Sequence, residues 1–139
     1  YVGRLDKDST GLLLLTNDGD LANEIQRSRN NHEKEYHVRV NTDITEDFIK
    51  KMSEGVEILD TVTKPCKVKK TGTRNFSIIL TQGLNRQIRR MCDALHVRVV
   101  HLKRVRIMNI RLGSLRPGEF RTLTRDEEQE LRRLVQKRS

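Results

Sequence analysis

The chain has 139 residues, enough for one hydrophobic core and too few for two ordinary domains. Its 28 Lys and Arg against 19 Asp and Glu give a net charge of +9, and a pI near 10.0 points to a polyanionic partner, RNA or DNA before a membrane surface, since no basic amphipathic helix with an aromatic face is present. No apolar run approaches a membrane span, no signal peptide opens the chain, and the widely separated Cys66 and Cys92 suggest neither a disulfide framework nor a zinc site. The expectation is a cytosolic protein with two buried thiols and no metal.

In chain order, eleven polar, charged and glycine residues, Tyr1 to Gly11, give way to Leu12-Leu13-Leu14-Leu15, a pattern that predicts a shaped loop feeding a strand buried on both sides. A rigidly held loop can aim a carboxylate at a substrate, and Asp6 and Asp8 are both candidates, with solvated turn aspartates as the plain alternative. Thr16 to Asp20 reads as a turn and N-cap ahead of a short helix carrying Leu21, Ala22 and Ile25, which ends in the polar run Arg27 to Asn31. Glu33 to Val40 alternates with Tyr36, Val38 and Val40 on one side, the period of a half-buried strand. Thr45 to Glu54 has helical spacing with Gly55 at its C-cap.

Two strands are predicted over Val62–Lys70 and Asn75–Thr81, joined by a glycine-containing hairpin turn. Gln82 to Asn85 turns the chain into a helix over Arg86–Leu95, with Ile88, Met91, Cys92 and Leu95 on one face. Val97–Ile107 and Ile110–Leu112 read as strands, and Thr124-Arg125-Asp126-Glu127 is a capping box opening a terminal helix. Strands and helices mix without βαβ alternation, so the expected class is α+β, a mixed and largely antiparallel sheet flanked by helices, in one domain over residues 1–139.

Arg86, Arg89 and Arg90 crowd the start of the predicted helix, against the preference of a helix N-terminus for negative charge. Phosphate or a carboxylate would relieve this. Arg86 and Arg90 share a face and suit phosphate or solvent equally. Arg89, beside Ile88, can lean inward, where a buried guanidinium needs a carboxylate that the loop around Asp6 could supply.

Three motifs in order, Gly3-Arg4-Leu5-Asp6 with Thr10 to Thr16, then Lys34-Glu35-Tyr36, then Gln87-Ile88-Arg89-Arg90-Met91, resemble the RsuA/RluF-type ribosomal RNA pseudouridine synthases over essentially the whole chain. Asn31-His32 before the second motif, and Val62 to Lys70, resemble most the RluF branch, which acts on large-subunit RNA. The resemblance implies isomerisation of specific uridines to pseudouridine in the cytoplasm, by a monomer without metal or cofactor. It assigns Asp6 as the catalytic aspartate, Tyr36 as the residue stacked on a flipped-out base and placed at the carbon-5 proton, and Arg89 as the partner that keeps the aspartate ionised and aimed. Asp8 falls outside the shared core of the motif and reverts to a loop aspartate.

The reaction breaks a carbon–nitrogen bond and rejoins the same base through carbon, so it needs a fixed carboxylate, a water-poor pocket and an aromatic face. For RNA contact the candidates are Arg4, Lys34, Asn85, Arg86, Arg90, Lys67, Lys69 and Arg104, with Lys70, Arg98, Lys103, Arg106, Arg111 and Arg116 as further cations of which one strand face at most can touch RNA. Members of this family carry an S4-like domain and an opening strand ahead of the GRLD loop, so the chain reads as the remainder of a longer protein. A non-catalytic RNA-binding or ribosome-assembly module on the same fold is the alternative, and a metal-dependent nuclease is disfavoured because the acidic residues do not cluster.

Overall fold

A computed structural model describes residue 5 and residues 8–27 and 32–137. Asp6 and Arg4 lie outside the described residues, as does most of the polar run after the first helix.

A six-stranded sheet organises the fold in the order β1 (Thr10–Gly11), β7 (Val99–Ile107), β2 (Lys34–Val40), β6 (Asn75–Leu80), β5 (Lys67–Gly72), with β8 (Ile110–Arg111) also paired to β7. Among the described residues only β1 against β7 is parallel; the remaining pairs are antiparallel, so the sheet is mixed and largely antiparallel as the sequence pattern implies. A separate hairpin, β3 (Glu57–Ile58) and β4 (Thr61–Val62), turns through Leu59 and Asp60, both at positive φ as a two-residue hairpin turn requires.

Among the described residues four helices complete the class: α1 (Gly19–Arg27), α2 (Glu46–Glu54), α3 (Gln87–Ala94) and α4 (Arg125–Lys137). Their starts are chemically specified. Asp18 Oδ1 accepts the Leu21 N–H at 3.1 Å, and Thr45 Oγ1 accepts that of Phe48 at 3.1 Å. At α4 the capping box closes reciprocally: Glu127 N–H donates to Thr124 Oγ1 at 3.1 Å, and Thr124 N–H donates to Glu127 Oε1 at 2.8 Å.

Two hydrophobic clusters form. One packs Val38, Val40, Phe76, Ile78 and Leu102 of the sheet against Phe48 and Met52 of α2 and Ile88 and Met91 of α3, with the Phe48 and Phe76 rings edge-on at 5.5 Å. The other gathers Leu12, Leu14, Ile107 and Ile110 with Ile25 of α1 and Leu131 and Val135 of α4. Among the described residues no helix is long and apolar enough to cross a membrane.

Two sequence expectations change. The leucine run is not buried on both sides: Leu12 and Leu14 are buried, whereas Leu13 and Leu15 are 44% and 74% exposed, because this segment lies at the sheet margin with one face on the second cluster. The strand expected over Val62–Lys70 is two strands. Thr63 turns inward, its hydroxyl accepting the Val56 N–H at 2.9 Å, and Pro65 supplies no N–H for a ladder, so pairing resumes only at Lys67.

Candidate active site

A cleft of about 480 Å³ opens at the seam of the two cores, floored by Leu80, Ile88 and Leu102 of one and Ile25, Ile107 and Met108 of the other. Leu5 and Ser9 line it from the opening loop, Lys34 and Tyr36 from β2, and Asn85, Arg86 and Arg89 from the segment that begins α3. Three motifs far apart in the chain thus meet at one cavity. Leu5 and Ser9 bracket Asp6 in sequence, and Asp6 itself is outside the described residues.

Tyr36 stands half-buried on β2, opposite Ile78 on one neighbour and Arg104 on the other. Its ring packs against the first core, while its hydroxyl makes no hydrogen bond to another described residue. A tyrosine serving only the core would satisfy that hydroxyl within the fold. This one leaves an aromatic surface and a free polar tip at a cavity.

Two of the arginines opening α3, Arg86 and Arg89, find their negative charge in Asp8. Arg86 occupies the N-cap in a left-handed conformation, φ 49°, ψ 39°, and its two terminal nitrogens each reach a different Asp8 carboxylate oxygen at 3.1 Å. Arg89 donates from Nη2 to the Asp8 carbonyl at 2.8 Å and to Ser9 Oγ at 3.3 Å, and its Nε lies 3.6 Å from Asp8 Oδ1 with no hydrogen-bond partner among the described residues. The hydrogen bonds from Arg86, with the charge of Arg89 behind them, hold the Asp8 carboxyl below the usual carboxylate range. Asp8, set aside in the sequence as a loop aspartate, is therefore what ties the opening loop to α3. The pairing spans 78 and 81 residues of chain, and no local pattern announces it.

Arg90 folds back on Asn85, donating to its carbonyl at 3.0 Å and to its side-chain oxygen at 2.9 Å, so these two expected RNA contacts brace the turn before α3. Buried Gln87 extends the brace: its Oε1 accepts the Leu84 N–H at 3.2 Å and its Nε2 donates to Gln82 Oε1 at 3.3 Å.

Arg104 corrects its expected role as a surface phosphate contact. It is 3% exposed, and its Nε and Nη2 donate to the Leu12 carbonyl at 3.0 and 2.8 Å while its own carbonyl accepts the Leu12 N–H at 2.9 Å. This reciprocal clamp fixes the segment following the opening loop. Arg106 is likewise withdrawn, bound by Glu33 and Glu35 and the Met108 carbonyl. Lys67 and Lys69 are exposed but flank Val68, whose side chain faces the first core, so they project from the opposite face of the sheet to the cleft.

Residues 1–94 match the family model described as RNA pseudouridylate synthase. The dual-specificity RNA pseudouridine synthase RluF of Escherichia coli K12 is 56% identical over 138 residues, covering 99% of this chain and 48% of the relative. The ribosomal large subunit pseudouridine synthase B of Bacillus subtilis is 35% identical over 96% of this chain and 57% of its own length. A crystal structure of a pseudouridylate synthase superposes with a TM-score of 0.87 at 36% identity, over 93% of this chain and 57% of that one. The chain spans about half the length of the curated relatives it matches. On sequence and fold together, the chain belongs to the RNA pseudouridylate synthase family.

Proposed function

We propose that this protein isomerises uridine to pseudouridine in ribosomal RNA of the large subunit, acting on a nucleotide turned out of its stack. The observation that carries the reading is the convergence of the opening loop, Tyr36 and Arg89 on one cleft, together with 56% identity to a named RNA pseudouridine synthase.

In this reading Asp6 is the catalytic carboxylate. The bond between uracil N1 and the ribose anomeric carbon breaks, the uracil turns within the cleft, carbon 5 bonds to the same anomeric carbon, and the carbon-5 proton leaves while the freed N1 takes up a proton. Atoms and electrons are conserved. The freed base must stay beside the sugar, which suits a cavity floored by Leu80, Ile88 and Leu102. Tyr36 offers the aromatic face on which the base stacks, and its hydroxyl stands near the carbon-5 proton. Arg89 and Arg86, by gripping Asp8 and Ser9, hold the loop two residues beyond Asp6 against α3. Lys34, at the cleft rim, contacts the RNA backbone, and the protein works as a monomer.

The test is to incubate unmodified ribosomal RNA transcripts with the full-length protein and with an Asp6→Asn variant and to map pseudouridine. The wild type is expected to modify the RNA and the variant to lose the activity; equal modification by both would sink the assignment of Asp6.

A further inference from the structure

The sheet has a second face, and strand register defines what it presents. Lys69 on β5 is opposite Ser77 on β6, Ser77 is opposite His37 on β2, and His37 is opposite Lys103 on β7. The row on one side of this brings Lys67, Ile79, Glu35 and Arg106 together, and the row on the other Asn75, Arg39 and His101. All of these alternate with the residues that face the cleft and the first core, so they share the far face.

The carboxylates of Glu35, in these rows, and of Glu33, two residues before it, are both engaged by Arg106, at 3.1 and 3.2 Å. Lys67, Lys69, Lys103 and Arg39 are exposed, and none has an ion-pair or hydrogen-bond partner among the described residues. The cations sit on paired strands about 4.8 Å apart, which places Lys69 and Lys103 roughly 14 Å from one another across the sheet. No Phe, Tyr or Trp side chain stands in these rows, since Tyr36 and Phe76 both point to the other side. A surface that gripped single-stranded RNA would offer rings for stacking. An array of unpaired cations without rings matches the regularly spaced phosphates of a duplex, which proteins engage by shape and backbone charge.

We propose that the exposed face of β5, β6, β2 and β7, centred on Lys67, Lys69 and Lys103, is a second RNA contact surface that holds the phosphate backbone of a helical stem while the cleft on the opposite face receives the target nucleotide. The inference rests on the reading that the protein acts on structured RNA. It explains why the basic residues divide between two faces: the RNA must pass around a margin of the sheet, so only an RNA with helix beyond the reacting loop can reach both.

The experiment uses the full-length protein and two RNA hairpins with the same loop, one with a short stem and one with a long stem. A triple variant, Lys67→Ala with Lys69→Ala and Lys103→Ala, is expected to lose affinity for the long-stem hairpin. Its slope of log affinity against log salt should flatten by about 0.9 for each phosphate contact removed, so by two to three in all. Short-stem affinity and the thermal midpoint are expected to be unchanged, and the corresponding triple arginine variant should restore long-stem binding. Amine-reactive labelling should show the three lysines protected by the long hairpin and not by the short one. Unchanged long-stem affinity in the alanine variant, or equal proportional losses for both hairpins, would overturn the proposal. So would full protection of these lysines without RNA, which would mean that another part of the protein or a second copy covers the face. Pseudouridine mapping with the wild type, run in parallel, reports separately on the isomerase reading, because the hairpin comparison reads binding alone.

Discussion

Replacing Gly11 with alanine probes the joint on which the opening loop depends. Gly11 has φ +115°, and a Cβ built there would lie 2.2 Å from the Arg104 carbonyl oxygen and 2.5 Å from its nitrogen. Both are backbone atoms of the neighbouring strand, so no side-chain rotation relieves the overlap. Non-glycine residues in such a conformation cost about 1–3 kcal/mol. Restoring an ordinary separation of about 3.5 Å requires β1 and β7 to part by roughly 1 Å. That movement breaks the Leu12 N–H bond to Arg104 and loosens the two bonds from the Arg104 guanidinium. Lost hydrogen bonds of this kind cost about 1 kcal/mol each, more where one group is charged. The sum, about 4–6 kcal/mol, is a large part of the 5–15 kcal/mol that stabilises a typical domain. For a chain of this size it corresponds to a fall in Tm of roughly 10–20 °C. Differential scanning calorimetry of Gly11→Ala beside Gly19→Ala provides the assay. At Gly19, the first residue of α1, an added Cβ meets nothing within 4 Å, so alanine there should leave stability unchanged or raise it by up to ~1 kcal/mol. A Gly11→Ala protein melting within about 3 °C of its parent would refute the clamp argument.

Three other perturbations follow from the geometry. Tyr36→Leu should lower kcat/KM for pseudouridine formation by roughly 10- to 100-fold, the equivalent of a base–aromatic stack worth about 1–3 kcal/mol, whereas Tyr36→Phe keeps the stack; single-turnover assays of both variants separate ring from hydroxyl, and an unimpaired leucine variant would remove Tyr36 from the site. The Arg121 guanidinium and the Thr124 N–H hold Glu127 down from an ordinary 4.5 to about 2. Because its folded-state value lies below the unfolded one, its contribution is complete above pH 4.5 and is lost as pH falls toward 2, so urea midpoints should fall more steeply over that window in the wild type than in Glu127→Gln. Burial pushes the Cys66 thiol up to about 11 and the Cys92 thiol, with Asp93 adding to the effect, up to about 12; iodoacetamide at pH 8 should therefore leave both unmodified in the native protein and alkylate both in denaturant, as mass spectrometry would show.

Much of the architecture was legible in residue order because its causes are local. The alternation of Tyr36, Val38 and Val40 produced β2, the spacing of Ile88, Met91 and Cys92 produced α3, and the Thr124–Glu127 capping box closed as its residue types require. Four consecutive leucines, by contrast, carry no record of which face meets a core, so their one-sided burial depended on where α1 and α4 pack. The break in the Val62–Lys70 segment likewise followed from Thr63 turning to bond Val56.

Motif order and basic composition alone determined the chemistry class, the family resemblance and the three segments that assemble the cleft. Tertiary structure decided how each cation is used. Arg86 and Arg89 grip Asp8, Arg90 braces Asn85, Arg104 clamps Leu12, and Lys67, Lys69 and Lys103 share the far face of the sheet. The physical reason is range: a guanidinium is drawn to whichever carboxylate or carbonyl the fold brings within about 3 Å. For Arg86 and Asp8 that partner lies 78 residues away, beyond anything periodicity or local spacing can encode.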